Sequence, residues 1–168
     1  MDKRRTILAV DDEPDVLEQI EEILEAKYDV VTARSFDDAV RAFEKKPADL
    51  AVLDIMGVNG EELLSRFRVR APCIMLTAHA LTPQHLKQSA KGGARLYLPK
   101  DELARLPEYI EQVFNHPREP LWRWLVGRLN FAKWFGPGWT AEDDKWLFDI
   151  TIDEIEQDLY HGYVPDEE

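Results

Sequence analysis

Apolar residues along the first two-thirds of the chain fall into two alternating kinds of run. Ile7-Leu8-Ala9-Val10, Leu50-Ala51-Val52-Leu53 and Cys73-Ile74-Met75-Leu76 are unbroken and of strand length, as expected of strands covered on both faces. Tyr28 to Thr32 and Ala94 to Leu98 read as two further strands. Between the strands, apolar positions recur at helical spacing. Val16, Leu17, Ile20, Ile23 and Leu24 follow Pro14, a residue suited to a first helical turn, and Phe36, Ala39, Val40 and Phe43 follow a Ser35 cap and end at Lys45-Lys46-Pro47. Gly60 opens a helix carrying Leu63, Leu64 and Phe67. Thr82-Pro83 starts another that Gly92-Gly93 stops, and Tyr109, Ile110, Val113 and Phe114 define a last one from about Pro107 to Asn115. Five strands, each followed by a helix and none joined by a hairpin signal, predict an α/β fold with a doubly wound parallel sheet.

The pattern changes after His116-Pro117. Residues 117–168 hold all five tryptophans and 5 Lys/Arg against 12 Asp/Glu, which is −7 of the chain's net −12. The chain therefore divides into a domain at 1–116 and an acidic, Trp-rich helical extension at 117–168. Within Leu121 to Phe135 the charges Arg123, Arg128 and Lys133 step around a helix by roughly 140° each, leaving no clean polar face of the kind a membrane-surface helix needs. Gly136-Pro137-Gly138 breaks the chain, and Thr140-Ala141-Glu142-Asp143 offers a cap with acids in the first turn. Beyond it Phe148, Ile152, Ile155 and Leu159 form one apolar stripe, with Trp146 and Ile150 in a second. Two stripes leave two readings open: two packing partners, namely the helices of the first domain and a second protein chain that is either a docked partner or another copy in a homodimer, or a single extra helical layer in which both stripes cover the first domain.

An acidic surface counts against nucleic acid as a partner, and the extension lacks a helix-turn-helix with a basic recognition face. The single cysteine, Cys73, excludes an intramolecular disulfide and any multi-cysteine metal site, and reads as a small buried hydrophobe. Lys3, Arg4 and Arg5 are followed too soon by acid for an export signal, and no apolar stretch has membrane-spanning length, so no membrane partner and a cytoplasmic location are expected. None of His79, His85, His116 and His161 has metal-ligand spacing.

The strand ends carry the candidate chemistry. Asp11 and Asp12 follow the first strand, Asp54 ends the central one, Thr77 ends the fourth, and Lys100 lies just past the fifth. In an open parallel sheet these carboxyl ends share one rim, where a charge such as that of Asp54 belongs. Three carboxylates in one cleft repel, and a hard divalent cation bound through oxygens relieves the repulsion; Mg²⁺ suits a site with few carboxylates and added phosphate oxygens. One aspartate is then left as a nucleophile, with a lysine and a hydroxyl placed to hold phosphoryl oxygens.

Four fragments, Val10-Asp11-Asp12-Glu13-Pro14, Leu53-Asp54-Ile55-Met56, Leu76-Thr77-Ala78 and Tyr97-Leu98-Pro99-Lys100, resemble in order and position the receiver domain of bacterial two-component response regulators, over about residues 5 to 115. The resemblance implies a flavodoxin-like sheet of order 2-1-3-4-5. It implies phosphoryl acceptance by Asp54 from a histidine kinase or phosphotransfer protein, Mg²⁺ bound directly by Asp12, through water by Asp11, and by the Met56 backbone carbonyl, and Lys100 paired with the phosphoryl group. Thr77 would turn to the phosphate and let Tyr97 move inward, remodelling the face made by the fourth helix, fifth strand and fifth helix, a surface read by a downstream protein. The expected protein is not an enzyme beyond intrinsic phosphotransfer and autodephosphorylation, and it is a stand-alone regulator without DNA-binding output. In two places the chain departs from the family. The loop after Asp54 is about two residues short, which bears on the Met56 carbonyl, and proline precedes Lys100 instead of following it, so other contacts must place the lysine. Two further readings are a haloacid-dehalogenase-like phosphatase, which needs a second acid where Met56 stands, and a receiver-like interaction module that is never phosphorylated.

Overall fold

The computed structural model describes residues 3–78, 88, 89, 91–117, 121, 124, 128 and 140–146. Five parallel strands form one sheet in the order β2-β1-β3-β4-β5: β1 Thr6–Val10, β2 Asp29–Ala33, β3 Leu50–Asp54, β4 Cys73–Thr77 and β5 Leu96–Pro99. The unbroken apolar runs account for the centre of the sheet. β1, β3, β4 and β5 are buried at every position, whereas β2, at the edge, keeps Asp29 and Thr32 in solvent. In the central strand Leu50, Ala51, Val52 and Leu53 are wholly enclosed, each large side chain adding roughly 1.5–3 kcal/mol of burial.

The helices are α1 Pro14–Leu24, α2 Phe36–Lys45, α3 Gly60–Phe67, α4 Leu106–Asn115 and the short α5 Ala141–Trp146. α2 and α3 pack together through stacked Phe43 and Phe67, whose ring centroids are 4.3 Å apart, while α1 packs with α4. Ser35 caps α2 by accepting the Asp38 N–H, as its sequence position predicts. Gly92-Gly93 also stops its helix: the Ala94 N–H reaches back to the Ser89 carbonyl around Gly93 at φ +95°, the wrap that glycine alone adopts without strain. The remainder of that helix, including Thr82-Pro83, and His79, His85 and His161, lies outside the described residues.

Several sequence expectations shift. β2 runs from Asp29 to Ala33, one residue later than read, and β5 begins at Leu96. Ile23, Phe36, Val40 and Phe114 are only partly buried, at the margin of the core. A 3-10 turn, Lys100–Arg105, occupies the stretch before α4 that carried no periodic signal. The predicted extension helices are described at only a few positions. Leu121 is buried, Trp124 packs on the core, and Ala141–Trp146 is helical, while Gly136-Pro137-Gly138, Trp122, Trp134, Trp139 and both apolar stripes beyond Trp146 lie outside the described residues. No helix among the described residues is long and apolar enough to cross a membrane.

Candidate phosphoacceptor site

Parallel pairing brings the ends of β1, β3, β4 and β5 to one edge of the sheet, and with them the predicted side chains. One carboxylate oxygen from each of Asp11, Asp12 and Asp54 lies within 4.8 Å of the others. Asp11 is fully buried and Asp54 only 4% exposed, so the aspartate expected on the rim is enclosed; Asp12 faces solvent. Asp11 also shapes the turn into α1, since its Oδ1 accepts the Glu13 N–H at 2.9 Å.

Lys100 reaches back across the cleft. Its Nζ lies 2.8 Å from Asp11 Oδ2, 3.1 Å from Glu13 Oε1 and 3.4 Å from Asp54 Oδ1. These three carboxylates position the lysine that no following proline constrains. Burial opposes its charge most strongly, but the close carboxylates of Asp11 and Glu13 and the nearby Asp54 together raise its pKa above the ordinary lysine value. Asp54 is pushed up to about 6, first by burial and then by the Asp11 charge, with Lys100 pulling the other way and Asp12 adding a smaller push.

Thr77 and Tyr97 are buried and share a hydrogen bond. Tyr97, predicted to move inward on phosphorylation, is therefore already inward here, and burial pushes its phenol up to about 12. Met56 points its side chain into solvent, and its carbonyl accepts the Val58 N–H at 2.9 Å. The predicted metal-side carbonyl is thus engaged by the shortened loop itself, on one of its two lone pairs.

The donor set fits a hard cation. All three clustered side chains offer oxygens, and Asp11 Oδ2 is buried with no aligned hydrogen-bond donor among the described residues, although it pairs in charge with Lys100. The loop makes room beside these oxygens: a Cβ on Gly57 would lie 2.6 Å from Asp12 Oδ2. Alanine at both Asp11 and Asp12 is expected to weaken Mg²⁺ binding by more than the roughly 10–100-fold that loss of an outer-shell partner costs. Calorimetric titration with unchanged affinity in the double variant would remove these residues from the metal site.

Two contributors escaped the sequence reading. Glu13 stands in a quoted fragment but was assigned no role, and only the position of Lys100 reveals it. Val58, isolated in the loop, is buried and anchors it. Cys73 is buried as expected, with its thiol pushed up to about 12 by that burial.

A doubly wound sheet with an acidic pocket and a lysine at its carboxyl edge defines a class of phosphoacceptor-like domains, and the comparisons narrow it. The response regulator receiver domain family matches residues 7–111, and the chain belongs to that family. It is 28% identical over 126 residues to the response regulator GtcR of Aneurinibacillus migulanus, covering 68% of this chain and 52% of that protein. It is 32% identical over 114 residues to the response regulator protein PilR of Pseudomonas aeruginosa, covering 64% and 25%. Among solved structures, a CheY-like receiver domain protein from Methanospirillum hungatei JF-1 superposes with TM-score 0.61 at 28% identity, over 68% of this chain and 96% of that one. The chain thus spans about half the length of one curated relative and a quarter of the other.

Proposed function

We propose that the chain is a phosphorelay receiver whose Asp54 takes a phosphoryl group from a histidine kinase or phosphotransfer protein, with Mg²⁺ held by Asp11, Asp12 and Asp54. The observation that carries this reading is a buried Asp54 facing both the Lys100 ammonium and two further carboxylates. Bound there, Mg²⁺ supplies charge compensation for the carboxylates and the phosphoryl oxygens. Asp54 attacks phosphorus in line; as its P–O bond forms, the bond from phosphorus to the donor nitrogen breaks, and its electron pair returns to the imidazole, which takes up a proton from solvent. Lys100 moves from Glu13 toward the new phosphoryl oxygens, and Thr77 offers its hydroxyl. Nothing in this step requires the chain to turn over a substrate, which supports a regulator and not an enzyme.

We infer further that residues 117–168 provide no DNA-binding output and that the downstream partner is a protein, a reading supported by the acidity of that segment. Salt-sensitive binding of the full chain to duplex DNA would contradict it. The phosphoacceptor reading is tested by incubation with a small phosphodonor and Mg²⁺. The wild type is expected to gain one phosphoryl group by intact mass and Asp54→Asn none; equal labelling of the variant would overturn the assignment.

A further inference from the structure

The opposite edge of the sheet carries a cavity of reversed charge. It lies where β1 and β2 begin and α1 and α4 end, and has a volume of about 280 Å³. Lys3, Arg4, Arg5 and Lys27 line it together with the rings of Tyr28 and Phe114, which are 6.0 Å apart. Four cations around one cavity stand out in a chain of net charge −12.

Two of the four are used by the fold. Arg4 pairs through Nε with Asp29 at 3.1 Å and donates from Nη2 to the carbonyls of Tyr28, at 2.7 Å, and Glu25. Lys27 pairs with Glu111. Lys3 and Arg5 are exposed, and neither meets a carboxylate among the described residues. Arg5 instead lies over the Phe114 ring, 4.1 Å from its centroid. A guanidinium held on a ring keeps the N–H donors at its edge for an anion and has already given up part of its freedom. The cavity falls just below the roughly 300–1,000 Å³ of pockets that enclose a small molecule, so it suits side chains presented by a peptide.

The chain itself carries the complement. Residues 147–168 contain eight Asp/Glu and no Lys or Arg, with Ile152, Ile155, Leu159 and Tyr160 among the acids. The extension also starts at the cavity. Asn115, the last residue of α4, lines it, and Arg95 donates to the His116 and Pro117 carbonyls, both at 2.8 Å, which fixes where the chain departs. A segment tethered there meets the cavity as an intramolecular ligand, an advantage that a free partner of equal charge lacks.

We propose that this cavity is a docking site for the acidic segment 147–168 of the same chain, with Lys3 and Arg5 pairing with its carboxylates and the Phe114 ring receiving an apolar side chain. Docking closes the extension over the edge of the sheet remote from Asp54, and so leaves the acidic pocket open. It stands on different residues from the phosphoacceptor reading and does not depend on it. Exposed ion pairs are individually weak and screened by salt, so the docked segment exchanges readily and is released at high ionic strength.

The test uses the full chain as an equal mixture of ¹⁵N-labelled and unlabelled protein, treated with a zero-length carbodiimide that joins lysine amines to carboxylates in contact. Cross-linked peptides are identified by mass, with the Lys27–Glu111 link as the internal standard for yield. Lys3 is expected to be joined to acids of residues 147–168 within one chain. Arg5→Glu, a change at an exposed side chain that keeps both reacting groups, is expected to lower that yield by roughly 5-fold or more, since one attraction is lost and one repulsion added. Raising the salt to about 1 M is expected to lower it comparably. Absence of the Lys3 link, or a yield that Arg5→Glu leaves unchanged, overturns the proposal. Links that join labelled to unlabelled chains place a second copy's segment in the cavity and overturn docking within one chain.

Discussion

Without metal, Asp54→Asn is expected to be more stable than the wild type at pH 7, by up to about 3 kcal/mol, and to lose that advantage below about pH 4. Asp54 has a folded-state pKa of about 6 against an ordinary 3.8, because burial and the Asp11 charge both disfavour its carboxylate. An acid whose pKa is raised by folding binds its proton more tightly in the folded state. Its contribution to stability is intact below the unfolded value and is lost as pH rises through the folded value, here between about 4 and 6. At pH 7 the wild type bears the whole penalty, and asparagine, which has no proton to lose, bears none. Asp54 is nearly enclosed, so solvent screening does little to soften the effect. Urea denaturation of both proteins in chelator, at pH 4 and pH 7, measures it. Adding Mg²⁺ at pH 7 is expected to narrow the gap by stabilising the wild type preferentially. A variant equal to or less stable than wild type at pH 7 would show that the cluster stores no such repulsion. The expected gain is what a site kept for chemistry at the expense of stability displays.

The parts of this site that were legible in the sequence are those in which one residue's burial or charge admits a single reading. Leu50 to Leu53 has no polar face, so it had to be a covered strand, and the acid ending it had to sit at the sheet's carboxyl edge. The depth of Asp54 was not legible in the same way. It depends on neighbours that other elements bring to it, Asp11 and Lys100 among them, and the loop that follows it is anchored by Val58, a lone apolar residue with no period to betray it. The 3-10 turn was missed for a related reason. Lys100–Arg105 is held by side-chain pairs to Tyr109 and Glu108, not by a repeating apolar face, and such pairs become visible only when the helix they reach is in place. Arg95 interrupts an otherwise apolar stretch, Ala94 to Leu98, and reads locally as a strand residue. Its partners are carbonyls some twenty residues on, at a helix end whose position the periodicity of α4 left approximate.

Gly60→Ala is expected to destabilise the chain by about 3 kcal/mol or more, at the upper end of what forcing an extra methyl into packed structure costs, and to lower its melting temperature by roughly 10 °C or more. A Cβ at this position would stand 2.0 Å from the Asp54 carbonyl oxygen and 3.0 Å from Ile55 Cα. Both are backbone atoms of the strand end and turn that carry Asp54, and neither can rotate away. Alanine's better helix propensity returns at most about 1 kcal/mol at the start of α3 and cannot reverse the sign. Gly57→Ala provides the contrast. Its φ of +77° costs a non-glycine residue roughly 1–2 kcal/mol, but the atoms its Cβ would meet, at 2.6–2.7 Å, belong to the Asp12 carboxyl, a side chain that can turn aside. Moving it disturbs the cation site more than the fold. The two glycines are therefore expected to separate: position 60 chiefly in thermal and urea stability, position 57 chiefly in Mg²⁺ affinity at nearly preserved stability. If Gly60→Ala melts with the wild type, the shortened loop has slack between Asp54 and α3, and the close approach of Gly60 to the Asp54 carbonyl is not what holds the strand end in place.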